Sequence, residues 1–152
     1  MNILSDAYPF TVILALAAIL LEIVFGIGAG IISATRRYSV WDVLVTLSTS
    51  ILVSVPVFWL GIMLQYVFGT WLKSVTNGAL YLPPVFSGGS DAEFGPLAYL
   101  ILPAITLAAV STAYAARIMR SQLLEVNGQD YIRTARAKGL SSRKVLWSHS
   151  IK

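Results

Sequence analysis

Along the chain, apolar residues gather into three long runs separated by short polar stretches, and the pattern then gives way to a charged tail. Between Thr11 and Ala34 the only charge is Glu22; Val43 to Leu72 carries none, and Phe94 to Ala116 carries none before Arg117. Each run exceeds the roughly 20 residues that a helix needs to cross hydrocarbon, where backbone amides must be satisfied within their own segment. The pattern therefore predicts three transmembrane helices at about 11–34, 43–72 and 94–120. The second run is long enough to tilt or to extend past the bilayer. Pro56 predicts a kink within it, because proline removes a backbone donor and crowds the preceding turn. Pro83-Pro84 and Gly88-Gly89-Ser90 break any helix, so residues 73–93 read as an external connector. Trp59, Trp71, Tyr81 and Tyr99 near the span ends read as interfacial aromatics.

The tail, 125–152, has a different texture. Glu125 to Lys138 can form a helix, with Gly139 at the first position beyond its cap in the left-handed conformation that other residues resist. Leu140 then packs on Ala135, and Ser141 caps a second helix from Ser142 onward. The result is a two-helix elbow joined at glycine. On its first helix Tyr131 and Ala135 share an apolar face offered for insertion, while Arg133 and Arg136 project as cations able to meet carboxylates. A folded basic motif at the mouth of a span predicts a soluble partner.

Composition agrees with the pattern: 57% of residues are hydrophobic and 12% charged. A water-soluble core cannot absorb that much apolar surface, so the fold class is an all-α polytopic membrane protein whose solvent includes the lipid bilayer. Cysteine is absent, which excludes a disulfide framework and thiolate metal sites. Cations fix the expected orientation. Arg36 and Arg37 follow the first run, and Arg117, Arg120, Arg133, Arg136, Lys138, Arg143, Lys144 and Lys152 follow the third, leaving only Lys73 in the second loop. The positive-inside rule then puts the N-terminus outside and the C-terminus in the cytoplasm. The net charge of +4 is a topology signal, and anionic headgroups suffice as its partner, so no nucleic acid is expected. The first run lacks the basic lead and small-residue cleavage site of a signal peptide. The short stretch Met1–Phe10 before a first span and the uncapped end at Ile151-Lys152 lead us to expect further segments at both ends.

Within the spans, Gly26, Gly30 and Ala34 form a ladder of small residues on one helix face, with Gly28 a second notch. Close packing within the subunit is the favoured reading. Glu22 is an ionisable group deep in a span and a candidate for lining a pathway, with a hydrogen-bonded packing role as the alternative. No nucleophile–base pair, metal-ligand cluster or GxxxxGK[ST] phosphate loop is visible, and His149, the one histidine, reads as a surface residue. No catalytic residue, metal or cofactor is expected in this chain.

The stretch Gln129-Asp130-Tyr131-Ile132-Arg133-Thr134-Ala135-Arg136-Ala137-Lys138-Gly139-Leu140-Ser141 resembles the EAA-type cytoplasmic loop of permease subunits of bacterial ABC importers, in the form typical of the dipeptide/oligopeptide group. The likeness extends to Ser54-Val55-Pro56-Val57-Phe58-Trp59-Leu60-Gly61 and to Ile101-Leu102-Pro103-Ala104-Ile105-Thr106-Leu107, and so covers nearly the whole chain. General EAA loops often carry glutamate where Arg133 stands, ahead of Thr134 and Ala135; the basic version is common in the peptide group. The resemblance implies a permease of about six spans in a bacterial or archaeal plasma (inner) membrane. It also implies a second permease subunit, two cytoplasmic ABC ATPase subunits and an extracytoplasmic substrate-binding protein as partners. On that pattern the family's first span, its large external segment and its last two spans lie outside this sequence. ATP hydrolysis falls to the separate ATPase subunits, and the elbow residues just quoted become the ATPase-coupling site. The substrate stays open among dipeptides, longer peptides, nickel chelates and glutathione.

Two other readings stand beside this one. The helix–Gly–Leu–Ser–helix pattern is also that of a DNA-reading helix-turn-helix, although it lacks a third packing helix and abuts a span. A membrane channel or assembly subunit that is not driven by ATP would have no cytoplasmic partner on Tyr131 to Leu140.

Overall fold

The computed structural model describes residues 3–83 and 97–151, with side chains from residue 8 onward. All regular structure among them is helical. Helix α1 (Ile3–Leu21) runs through a wider π-helical stretch, Glu22–Ile27, into α2 (Gly28–Thr35). From Tyr8 to Thr35 this is one continuous 28-residue helix, long and apolar enough to cross a membrane, with an 18-residue window of mean hydropathy 2.7. The chain reverses at 36–39, where the Ser39 amide donates to the Arg36 carbonyl at 3.0 Å and Tyr38 takes a φ of 65°. Ser39 then caps α3 (Val40–Ser54), its hydroxyl accepting the Asp42 amide at 3.4 Å.

The second apolar run departs from the expected single kinked helix. Pro56 forces the residue before it out of the helical region, and Val55 sits extended at φ −90° and ψ 128°. The helix ends there instead of bending. It restarts as α4 (Val57–Leu64), a π-helical stretch Gln65–Trp71 and α5 (Leu72–Val75), with the axis turned by 103°. At about 1.5 Å per residue, the 15 residues of α3 reach about 22 Å, short of the roughly 30 Å of hydrocarbon. Two helices among the described residues are long and apolar enough to cross a membrane, and counting the bent pair as one broken span makes three.

After α5 a tight turn with Asn77 and Gly78 in the left-handed region sends the chain back, and the Leu82 amide donates to the Phe68 carbonyl at 3.0 Å. Lys73 stacks 4.2 Å from the centre of the Tyr81 ring. The expected loop motifs Pro84 and Gly88-Gly89-Ser90, and the expected start of the third span at Phe94, lie outside the described residues. Trp59 and Trp71 are about half exposed, whereas Tyr99 is buried and is no interfacial belt residue.

The third span begins with one 3₁₀ turn, Ala98–Leu100, and continues as α6 (Ile101–Val126). Pro103 is accommodated because the first turn of a helix has no intrahelical use for its amide. Helix α6 is the centre of the bundle: α1, the Glu22–Ile27 stretch, α2, α3 and α4 all pack on it. Small buried residues, Ala104, Ala108, Ala113 and Ala116, let them approach. A Cβ added at Gly30 would lie 2.6 Å from the Met119 Cβ and 2.8 Å from the Ala116 carbonyl oxygen; one at Gly26 would lie 2.9 Å from the Ala115 Cβ. The expected glycine ladder is thus packing within this chain, with Ala34 buried in line with it. Gly28 is no part of it, since nothing lies within 4 Å of its would-be Cβ.

Candidate functional site

Helix α6 runs past the apolar zone, carrying Arg117 and Arg120, and ends only at Val126. Glu125 therefore belongs to the span helix and not to the elbow, which corrects the expected Glu125–Lys138 helix. The break comes where Gly128 and Gln129 donate to the Glu125 and Val126 carbonyls, both at 3.0 Å, closing a tight turn. Gln129 is extended, at φ −73° and ψ 150°, and opens α7 (Asp130–Ala137), its carbonyl accepting the Ile132 amide at 3.1 Å.

The glycine hinge has the expected form. Gly139 adopts φ +80°, its amide donates to the Arg136 carbonyl at 2.9 Å, and the Leu140 amide reaches the Ala135 carbonyl at 3.4 Å. These two bonds satisfy end carbonyls of α7 and set the turn angle. Ser141 caps α8 (Ser142–Val145), accepting the Lys144 amide at 3.4 Å, and a π-helical stretch Leu146–Ser150 follows.

The apolar side of the elbow points inward. Ile132, Ala135 and Val145 are buried against one another, with Val126 and Leu140 packed on them. Ala135 is thus part of the elbow's own core, and the expected insertion face shared by Tyr131 and Ala135 does not exist. Tyr131 stays half exposed, its hydroxyl donating to the His149 carbonyl at 3.3 Å. The surface left for a partner carries Gln129, Asp130, Tyr131, Arg133, Thr134, Arg136, Ala137, Lys138, Gly139 and Ser141, all exposed. Arg133 reaches Asp130 at 3.5 Å in a fully solvated pair that contributes little to stability. Ser150 donates to the Asn127 side chain at 3.0 Å and ties the second half of the elbow to the end of α6.

Above the elbow lies an ionic cluster that sequence reasoning missed. Arg120 donates to both carboxylate oxygens of Asp42, at 2.8 and 2.9 Å, and to the Ser33 hydroxyl at 2.9 Å. Asp42 also accepts the Ser33 hydroxyl and, at 3.0 Å, the Tyr38 amide. One turn away Arg117 donates to Thr49 at 3.4 Å and to Ser50 at 3.1 Å. These cations, read from sequence as orientation signals, bind α6 to α2 and α3. A local signal exists for Asp42 alone, since Ser39-Val40-Trp41-Asp42 has the spacing of a helix start, and the sequence reading passed over it. The Arg120 partnership, across 78 residues of chain, had no local signal.

Of the remaining candidates, Gly26 and Gly30 lie at the α6 contact, Pro56 at the break between α3 and α4, and Glu22 at mid-span facing α6. No group of three or more metal-ligating side chains occurs among the described residues.

Residues 26–152 match the family model for the binding-protein-dependent transport system inner membrane component. The chain belongs to this family. It is 34% identical to the dipeptide transport system permease protein DppB of Alkalihalophilus pseudofirmus, over 99% of this chain and 50% of that protein. It is 40% identical to a putative peptide transport system permease protein of Brucella suis, over 98% of this chain and 46% of the relative. To the oligopeptide transport system permease protein AppB of Bacillus subtilis it is 37% identical, over 95% and 44%. The chain spans about half the length of the curated relatives it matches. The family match covers α2 to the elbow and so includes both the ionic cluster and the glycine hinge.

Proposed function

We propose that this chain forms part of the permease subunit of an ATP-driven importer for peptides or related small solutes. The exposed face of the elbow would be where cytoplasmic ATPase subunits dock. The observation that carries the reading is continuity: the membrane helix α6 ends in a glycine-locked elbow whose Ile132, Ala135 and Val145 pack on one another and whose outer face presents Tyr131 beside exposed cations. Such a body can be pushed without deforming. Val126 and Asn127 fasten it to α6, and Arg117 and Arg120 fasten α6 to α3 and α2. A displacement of α7 imposed by closing ATPases would then tilt α6 together with the helices packed on it, switching access to the pathway.

In this reading the start of the chain lies outside and its end in the cytoplasm of a multi-pass inner-membrane protein. A second permease subunit completes the pathway, and an extracytoplasmic binding protein delivers substrate. Peptides are the favoured cargo because the relatives are named for dipeptide and oligopeptide transport. The test is ATP-dependent uptake of a labelled dipeptide by the full-length permease reconstituted with its ATPase and binding protein, combined with cysteine labelling. The reading expects uptake, with cysteines at positions 39 and 143 labelled only from the cytoplasmic side. Uptake that persists without ATPase subunits would favour the channel reading instead.

A further inference from the structure

Glu22 lies midway along the Tyr8–Thr35 span, and it opens the π-helical stretch Glu22–Ile27. Such stretches inside α-helices recur at functional sites, and an ionisable residue at that depth normally faces a cavity or a partner. Here it borders a groove of about 450 Å³ between this span and α6, whose opposite wall presents Ser111, Tyr114 and Gln122. Ser111 donates its hydroxyl proton to the Ala108 carbonyl at 3.1 Å, which turns its oxygen into an available acceptor. Among the described residues the Glu22 side chain makes no hydrogen bond or ion pair. The cations on the same stretch of α6 are committed elsewhere: Arg117 to Thr49 and Ser50, Arg120 to Asp42 and Ser33.

We propose that this groove is a substrate subsite, in which the Glu22 carboxylate receives the α-ammonium group of a peptide. The proposal rests on the peptide-permease reading given above. One carboxylate with a hydroxyl acceptor suits a single ammonium, which offers three donors and needs no further negative charge. A metal ion would demand several acidic or imidazole ligands, and the groove has one. Ile27 and Met119 on the same walls give a small peptide side chain apolar contact, and the Gln122 amide can donate to a peptide carbonyl. Sites at mid-membrane depth beside an irregular helix are where transported solutes are commonly held.

The experiment measures binding of alanyl-alanine and of N-acetyl-alanyl-alanine to the complete permease–ATPase complex in nanodiscs without the binding protein. Parent, Glu22→Gln and Glu22→Asp complexes are compared. The parent should prefer the free ammonium by about tenfold, or about 1.4 kcal/mol. Glu22→Gln should abolish that preference while leaving affinity for the acetylated peptide within about twofold, and Glu22→Asp should keep most of it. An unchanged preference in Glu22→Gln overturns the proposal. If Glu22→Gln fails to assemble and Glu22→Asp assembles, Glu22 pairs with a cation of the protein, and the proposal is again overturned. If the parent complex binds neither peptide and the importer takes up no dipeptide, the peptide reading itself fails. A parent that takes up dipeptides yet binds both probes equally refutes the Glu22 subsite alone.

Discussion

Replacing Asp42 by asparagine removes the anion on which Arg120, Ser33 and the Tyr38 amide converge. The Asp42 side chain is 7% exposed and that of Arg120 30%. Removing one partner of a fully buried pair costs about 3–5 kcal/mol, because it strands a charge. Solvent reaches Arg120 and screens part of that, so we expect about 2–3 kcal/mol for Asp42→Asn. Reversible unfolding of the full-length permease in mixed detergent micelles, applied to Asp42→Asn, Arg120→Gln and the double variant, gives a thermodynamic cycle. Once either partner is gone the second loss should be cheaper, and the double variant should fall short of the sum by at least about 1 kcal/mol. Additivity within about 0.5 kcal/mol would show that the two residues do not act together, and would refute the claim that they clamp α6 to α3.

Two further outcomes follow from the glycines. Gly30→Leu should drive α2 from α6, since even a Cβ there meets Met119 at 2.6 Å, and should lower the yield of folded protein; Gly28→Leu, with open space around it, should leave the yield unchanged, and equal losses from both would remove the packing argument. Gly139→Val should cost about 1–2 kcal/mol of local backbone strain at φ +80°, with open space beyond the chain neighbours, misaiming the elbow while insertion stays normal. The check is uptake per ATP hydrolysed, which should fall, and a parental ratio would remove the hinge angle from the mechanism.

The parts of this fold that were legible in sequence are those set by local chemistry. The apolar runs, the Gly139 hinge with Leu140 folding back on Ala135, and the Ser141 cap all depend on residues a few positions apart. Pro56 was legible as a disruption, but its size was not. The 103° break follows from Val55 leaving the helical region altogether, with α3 and α4 each packed on α6. The inward face of the elbow was misjudged because Tyr131 looked like the natural anchor. The smaller Ile132 takes the buried place against Val145, which comes from the second arm of the elbow. The ionic cluster was invisible because a basic residue at a span end has a sufficient explanation in topology. Only the folded bundle brings Ser33, Asp42 and Arg120 to one point.

The claim that the elbow's outer face receives the ATPase is tested most directly by copurifying ATPase subunits with the full-length permease carrying Tyr131→Ala or Arg133→Glu, at low and high ionic strength. Both side chains are exposed and outside the elbow core, so the variants should fold as the parent does. Tyr131→Ala should weaken association by about 2 kcal/mol, roughly 30-fold, at either salt concentration, as expected for a buried aromatic anchor at an interface. Arg133→Glu should weaken it most at low salt, where a reversed charge is least screened. Full retention of the ATPase by both variants under both conditions would contradict the account, because the elbow would then not be the docking site.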